Sequence, residues 1–206
     1  AGDLLMSGTL YLVATPIGNL GDISKRACEV LGSVDLIAAE DTRHTRTLLS
    51  HLNISVPLLS VHKWNEQERI GQILARLQQG QRIALVSDAG TPGISDPGAG
   101  LARAALAAGF TVTPIPGASA LACAASIFAH EDLPLIFWGF IPAASMKNND
   151  KLSKMAAIGA VHVLYEAPHR LARTLTDLEV VCGPLRHVVL ARELTKIHEE
   201  LWRGTM

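Results

Sequence analysis

Ser87-Asp88-Ala89-Gly90-Thr91-Pro92-Gly93-Ile94-Ser95-Asp96-Pro97-Gly98 forms one continuous loop sequence with three glycines, two prolines and two aspartates. An apolar run, Ile83 to Val86, precedes it and reads as a buried strand. An alanine-rich, helix-forming stretch, Leu101 to Ala108, follows it. Gly90 and Gly93 allow positive φ or close approach of backbone to a ligand. Asp96 followed by Pro97 has the form of a helix start, with the carboxylate as N-cap and proline at the first helical position. The pattern is strand, glycine loop, helix. In open α/β sheets ligands bind at the carboxyl ends of strands, where such loops lie. The same residues would also serve a long structural turn.

The alternation continues outward in both directions. Upstream, strands are predicted at 9–14, 34–39 and 57–61, and helices at 23–31, 43–52 and 65–79. Asp22 is the expected cap of the first helix, with Gly32 beyond its end. Asn65 is the expected cap of the third, with Glu68 three residues on and Gly80 after the end. Downstream come a helix at 99–108 and a strand at 110–115. This rhythm implies a mostly parallel sheet covered on both faces. Pro114-Ile115-Pro116-Gly117 has the composition of a domain joint. The expected division is 8–115 and 116–206, both α/β. The second part reads as helix 119–129, strand 135–140, a polar segment 143–153, strand 160–165, helix 168–179 and strand 187–191. Residues 199–206 look like a last strand with nothing after it to pair with, so the natural protein is expected to continue. Residues 1–7 read as a disordered lead-in.

Composition excludes several classes. At 206 residues and 49% hydrophobic content a sizeable core is affordable, and charged residues at 18% argue against disorder. A net charge of -1 provides no global field toward nucleic acid or membrane, so RNA binding would need a local patch. Cys28, Cys123 and Cys182 are odd in number and widely spaced, which favours neither a disulfide framework nor a zinc site and fits a cytoplasmic protein. The uncharged stretch 110–129 is broken by Pro114, Pro116 and Gly117, so a membrane span is not expected.

Three further strand ends carry polar chemistry. Ala14-Thr15-Pro16-Ile17-Gly18-Asn19-Leu20-Gly21-Asp22 is a glycine loop entering a helix, where phosphates often bind. It lacks the three-glycine dinucleotide spacing, and no Walker sequence occurs anywhere. Pro16 also removes an amide that a phosphate would use. Ala39-Glu40-Asp41-Thr42-Arg43-His44-Thr45-Arg46 sets two carboxylates beside two arginines. It would poise a base near an anion site, or simply start a helix. Tyr165-Glu166-Ala167-Pro168-His169-Arg170 and Arg192-Glu193-Leu194-Thr195-Lys196 end later strands, and each could equally be a solvated cap or ion-pair cluster. The histidines and cysteines show no metal-ligand spacing, and no metal is expected. A Gly-x-Ser-x-Gly elbow is missing, which leaves a hydrolase nucleophile unsupported.

Taken in order, Thr-Pro-Ile-Gly-Asn-Leu-Gly-Asp at 15–22, Ala-Ala-Glu-Asp-Thr-Arg at 38–43, Ser-Asp-Ala-Gly-Thr-Pro at 87–92, Pro-Gly-Ala-Ser-Ala at 116–120, Tyr-Glu-Ala-Pro-His-Arg at 165–170 and Ala-Arg-Glu-Leu-Thr-Lys at 191–196 resemble the tetrapyrrole methylase superfamily. The likeness is to its bacterial branch of small-subunit ribosomal RNA methyltransferases, and it spans residues 8–205. It implies a tetrapyrrole-methylase-like fold, two α/β domains with S-adenosylmethionine in the cleft between them, and a homodimer. It implies 2′-O-methylation of a cytidine in 16S ribosomal RNA. By position, the resemblance places the cofactor against Pro16, the backbone of Ser87, Asp88 and Ala89, Ile94, Ser119 with Ala120, and Tyr165 with Leu194.

A ribose hydroxyl is a poor nucleophile while neutral, so a nearby group should take its proton. Glu40, Asp41, Glu166 and His169 are the candidates, with none preferred. Arg43, Arg46 and Arg170 would hold RNA phosphates. Two departures stand out. Gly139-Phe140-Ile141-Pro142 leads into the 143–150 stretch, whose one lysine is matched by one aspartate, where the family often carries a basic run. The family also continues beyond Arg203-Gly204-Thr205 with further strands. A methyltransferase for a tetrapyrrole or other small acceptor, and a non-catalytic ribosome-assembly factor, remain the competing readings, because fold does not fix substrate.

Overall fold

A computed structural model describes residues 7–96, 98–128, 132–142 and 150–206. The chain separates into two compact units, the first ending at Ser119 and the second beginning at Ala120.

The first unit is a five-stranded parallel sheet in the order β3-β2-β4-β1-β5. Its strands are β1 (Thr9–Val13), β2 (Leu36–Ala39), β3 (Leu58–Ser60), β4 (Arg82–Val86) and β5 (Thr111–Ile115). Helices α1 (Lys25–Ser33), α2 (Thr42–His51), α3 (Glu66–Gln78) and α4 (Ala99–Ala107) connect them. Every residue of β2 is buried, as are Ile83 to Val86 of β4, which explains why these strands read as continuous apolar runs. Alternate residues supply two cores. Leu36, Ala38, Ile83 and Leu85 pack against Ile73 and Leu77 of α3 and Leu101 and Ala105 of α4. Ile37, Ala39, Ala84 and Val86 pack on the other face against Ala27, Val30 and Leu31 of α1 and Leu49 of α2. Ile73 and Leu77 stand one helical turn apart and are wholly buried, as the 3.6-residue period requires. Ile73→Val, which removes one methyl from this core, should cost about 0.5–1.5 kcal/mol. The check is a shift in denaturant midpoint at unchanged slope.

This arrangement positions the site. β4 is followed by a helix on one face, whereas both its neighbours, β1 and β2, are followed by helices on the other. The chain therefore diverges on both sides of β4, and crevices open at its carboxyl end.

Several predicted boundaries are corrected. Ser24, not Asp22, caps α1, its Oγ accepting from the Ala27 N–H at 2.9 Å. Asp22 lies in a short 3-10 turn, Leu20–Asp22, stabilised by the Asn19 side chain, and α1 runs through Gly32 to Ser33. Gly98, not Asp96, occupies the N-cap position of α4 with φ 104°. A Cβ there would lie 3.0 Å from Leu85 Cδ2, so glycine is what lets the loop press onto β4 as it turns into the helix. Pro97, at the expected first helical position, lies outside the described residues.

The second unit holds α5 (Ala120–Phe128), β6 (Leu135–Phe140), α6 (Asp150–Ala156), β7 (Val161–Tyr165), α7 (Leu171–Cys182), β8 (His187–Arg192) and β9 (Glu200–Thr205). β6 pairs with β7 in parallel, with a register shift between Phe137 and Gly139. The core here is Ile141, Leu152, Met155 and Leu178. Two corrections apply. The polar segment predicted for 143–153 carries a helix from Asp150 onward, held by Leu152 and Met155 three residues apart; its residues 143–149, like Ala129 and residues 1–6, lie outside the described residues. The strand at 199–206 has a partner behind it, pairing antiparallel with β8 from His187↔Thr205 to Arg192↔Glu200. The helix expected at 168–179 begins as a 3-10 turn, Pro168–Arg170, before α7, which ends at Cys182 with Gly183 (φ 80°) beyond it. Among the described residues no helix is long and apolar enough to cross a membrane.

Candidate functional site

The carboxyl ends of β1, β2 and β4 are tied together by backbone. Thr15 and Gly90 exchange two N–H···O bonds, each 3.0 Å, across the β1–β4 crevice. The Asp41 N–H donates to Asp88 Oδ1 at 3.1 Å across the β2–β4 side. Gly90 sits at φ 79°, where an L side chain is strained, and a Cβ on it would stand a tight 3.2 Å from Ile17 Cγ2 where the two loops meet. The Ser87 hydroxyl is buried and donates within the loop, toward the carbonyls of Ala89 and Gly90 at 3.2 and 3.3 Å. Thr91 Oγ1 donates to the Ala118 carbonyl at 3.0 Å, tethering the loop's far side. The predicted cofactor residues Ser87, Asp88, Ala89 and Ile94 thus share one loop, and Pro16 follows the Thr15 anchor on the adjacent one.

Acids concentrate on this edge. Glu40 is the first residue after β2; burial first, then the charges of Asp88, Asp96 and Asp41, push its carboxyl above the ordinary range, while His62 pulls it down. Burial likewise raises Asp96, against the Ser87 hydroxyl and with help from the Asp88 charge. Asp41 behaves oppositely. It is the N-cap of α2, accepting from the Arg43 backbone N–H at 2.9 Å and from its guanidinium at 3.2 and 3.0 Å, and these bonds hold its carboxyl below the usual range. Arg43 and Arg46 are exposed on the first turns of α2.

In the second unit, Glu166 is occupied. One oxygen accepts the Ala167 N–H at 2.8 Å with the Arg170 guanidinium 3.6 Å away, and the other accepts the Thr174 hydroxyl at 2.6 Å. Arg170 also donates to the Ile141 carbonyl at 2.9 Å. His169 is exposed in the 3-10 turn between β7 and α7. Tyr165 packs edge-on against Phe137 and Phe140, at 4.8 and 5.6 Å between ring centres. Leu194 lies in the β8–β9 connection, where Glu193 and Thr195 on either side have positive φ, 53° and 72°. Ser119 and Ala120 fall at the end of the first unit and the start of α5.

Two residues bear on this edge to which the sequence reading gave no role, and a third, Asn65, does not do what was expected of it. His62 faces Glu40 electrostatically. Thr15 is buried, and its Oγ1 has no hydrogen-bond partner among the described residues. Such an orphaned hydroxyl at a strand end is what a polar ligand would satisfy. Asn65 stands at the N-cap position of α3 without capping it; its side chain is used by the preceding loop. The His-Lys-Trp-Asn run at 62–65 was the available signal, since an exposed aromatic beside a cation is unusual in a plain turn.

Glycine-cradled backbone, a buried unpaired hydroxyl and acids around them fit a cationic small molecule better than a phosphate. The acids would repel an anion, while a sulfonium would be attracted. Among the described residues no cluster of His, Cys, Asp or Glu is arranged to hold a metal ion.

This fold and edge define a methylase: the family model for Tetrapyrrole (Corrin/Porphyrin) Methylases matches residues 9–206, and the chain belongs to that family. Within it, the chain is 53% identical over 199 residues to the ribosomal RNA small subunit methyltransferase I of Synechocystis sp., covering 97% of this chain and 71% of that protein. The protein of the same name from Escherichia coli O157:H7 is 50% identical over 194 residues, covering 94% and 68%. Among solved structures, a cobalt precorrin-4 methyltransferase superposes with TM-score 0.72 at 17% identity, covering 96% of this chain and 85% of that one. A uroporphyrin-III C-methyl transferase from Thermus thermophilus, complexed with S-adenyl homocysteine, gives 0.68 at 16%, covering 96% and 88%. These two likenesses speak for the fold alone.

Proposed function

We propose that this chain is an S-adenosylmethionine-dependent 2′-O-methyltransferase acting on a cytidine of 16S ribosomal RNA in the small ribosomal subunit, in the cytoplasm and as a homodimer. Identity near one half to proteins named for small-subunit RNA methylation supports the substrate. The observation that carries the chemistry is the gathering of Glu40 with Asp88 and Asp96 at the glycine loop. The donor, when bound, supplies an electrophilic methyl already activated on sulfur. The chain then has to hold two reactants in line and take up one proton. The Ser87–Asp88–Ala89 backbone, Ile94, Pro16 and the Thr15 hydroxyl are placed to receive the donor on the first unit. Ser119, Ala120, Tyr165 and Leu194 stay proposed donor contacts on the resemblance alone, as does the division into domains 8–115 and 116–206.

The four candidate bases are no longer equivalent. Asp41 spends its oxygens on Arg43, and Glu166 spends both of its own on Ala167 and Thr174. His169 stands apart from the acids in an exposed turn. Glu40 directly follows a strand, is half-buried, and has a proton affinity raised above the ordinary glutamate value by burial and the neighbouring acids. We assign it the 2′-hydroxyl proton. Arg43, Arg46 and Arg170 are proposed phosphate contacts. Transfer of labelled methyl from S-adenosylmethionine to unmodified small subunits tests the reading; transfer to a tetrapyrrole acceptor instead, or no donor binding by folded protein, would replace it. Arg43→Ala should weaken RNA association about threefold, as for one exposed charge-assisted contact, with donor affinity unaltered. Competition binding and calorimetry measure the two separately, and equal losses would contradict the role.

A further inference from the structure

Trp64 is 87% exposed, a large apolar surface that a folded domain ordinarily hides. It does not hang on a loose tail. The loop after β3 is pinned at each step: the Val61 N–H donates to the Ala39 carbonyl at 2.8 Å, the His62 N–H to Asn65 Oδ1 at 2.8 Å, and Asn65 Nδ2 to the Ser60 carbonyl at 3.1 Å. The Trp64 N–H itself donates to His62 Nδ1 at 3.3 Å. Asn65 makes these bonds in place of capping α3, so the helix forgoes a favourable cap while the turn keeps its shape. Lys63 Nζ lies 5.6 Å from the indole centre, placing a cation against the ring.

The loop's location gives the indole a purpose. It leaves the carboxyl end of β3, beside β2 in a parallel sheet, and so shares the edge where Glu40 lies. Ser60 Oγ donates to the Glu40 carbonyl at 3.4 Å. Helix α2, with Arg43 and Arg46 in its first turns, packs against β3. A rigid exposed aromatic, an adjacent cation and two arginines on a neighbouring element are the components that unpaired nucleotides use: bases stack on aromatic faces and phosphates meet cations.

We propose that Lys63 and Trp64 form a base-stacking platform for an unpaired nucleotide of the RNA acceptor, the base lying on the indole and its phosphate meeting the ammonium. The proposal rests on the RNA reading above and adds a contact to it. Its purpose is positional: a base clamped here fixes where the neighbouring ribose can stand relative to Glu40. Because the chain's net charge is only -1, a platform of this kind would supply what bulk electrostatics do not.

The test is methyl transfer from S-adenosylmethionine to unmodified small ribosomal subunits, followed against subunit concentration. Trp64→Ala should raise KM for the subunit about tenfold, the effect of losing one stacked base, with kcat and donor affinity retained. Trp64→Phe, which keeps a π-face, should restore most of that loss. Lys63→Ala should flatten the salt dependence of binding to a short cytidine-rich single strand by about 0.7 in log–log slope. An unchanged KM in Trp64→Ala overturns the proposal, as does phenylalanine failing to rescue. Dissociation of a wild-type dimer by Trp64→Ala at unchanged RNA affinity also overturns it, assigning the indole to a copy of the chain. Absence of transfer by the wild-type protein would remove the RNA reading itself, a result no Trp64 variant can mimic.

Discussion

Glu40→Gln should lower kcat for methyl transfer by about 10²–10⁴-fold, the usual contribution of a positioned base. Donor affinity should survive, because the amide preserves shape and the donor loop is held by other residues. The expectation follows from where Glu40 sits. It directly follows a fully buried strand, its carboxyl is partly desolvated, and the charges of Asp88, Asp96 and Asp41 discourage ionisation further. Each effect raises its proton affinity. A base must be ionised to act, so kcat in the wild type should rise with pH along a limb lying above the ordinary glutamate range, and Glu40→Gln should lose that limb. Stability provides an independent readout with a defined sign. A carboxyl whose folded pKa exceeds its unfolded value binds the proton more tightly when folded. Its favourable contribution is complete below the unfolded pKa and is lost as pH rises through the folded one. At neutral pH the ionised Glu40 is therefore a burden on the fold. Glu40→Gln should raise Tm at pH 7, and the gain should shrink as the buffer is taken below the ordinary glutamate pKa. Higher stability with lower turnover is the signature of a residue kept for chemistry. A fall in Tm at pH 7 would instead make Glu40 a structural acid and sink the assignment.

The parts of this molecule that sequence rendered legible are those governed by local rules. The Ser87–Gly98 loop was readable because glycine and proline constrain backbone wherever they occur, and β2 and β4 were readable because burial on both faces leaves no polar alternation. The family likeness joined six such local signatures in order, and the match over residues 9–206 agrees with it. What escaped depends on partners distant in sequence. Asp96 looked like a cap, yet the entry to α4 is set by how closely Gly98 approaches Leu85. Asn65 looked like a cap too, but its side chain is drawn into the β3 loop. Residues 150–153 read as the end of a polar segment, yet two apolar positions, Leu152 and Met155, suffice for a helix when a core waits for them. The ranking of Glu40 over Asp41 is of the same kind. Adjacent acids in sequence are alike until the Asp41 carboxylate is seen to meet Arg43 while the Glu40 carboxyl is partly buried under the charge of Asp88.

Asp88 should separate position from charge. Asp88→Ala should lower affinity for S-adenosylmethionine about 100-fold, within the range for stranding a partly buried polar partner of a charged group. The Asp41 N–H loses its acceptor at 3.1 Å, and with it the β2 and β4 ends lose their side-chain tie. The loop that carries Ser87 and Ala89 then keeps the Thr15–Gly90 and Thr91–Ala118 contacts and the Ser87 hydroxyl bonds within it. Asp88→Asn should behave differently. Its amide oxygen can still accept from Asp41, so most donor affinity should remain. Its missing charge, however, is the largest electrostatic influence raising Glu40 after burial. The acidic limb of the kcat–pH profile should accordingly move to lower pH in Asp88→Asn, and it should do so without the collapse in turnover expected of Glu40→Gln. Calorimetry supplies the affinities and single-turnover transfer the profile. If Asp88→Ala binds the donor as tightly as the wild type, the glycine loop is not the donor's seat. If Asp88→Asn leaves the limb in place, the titrating group is not Glu40. Because one variant interrogates the loop and the other the base, the two halves of the proposed chemistry can fail separately.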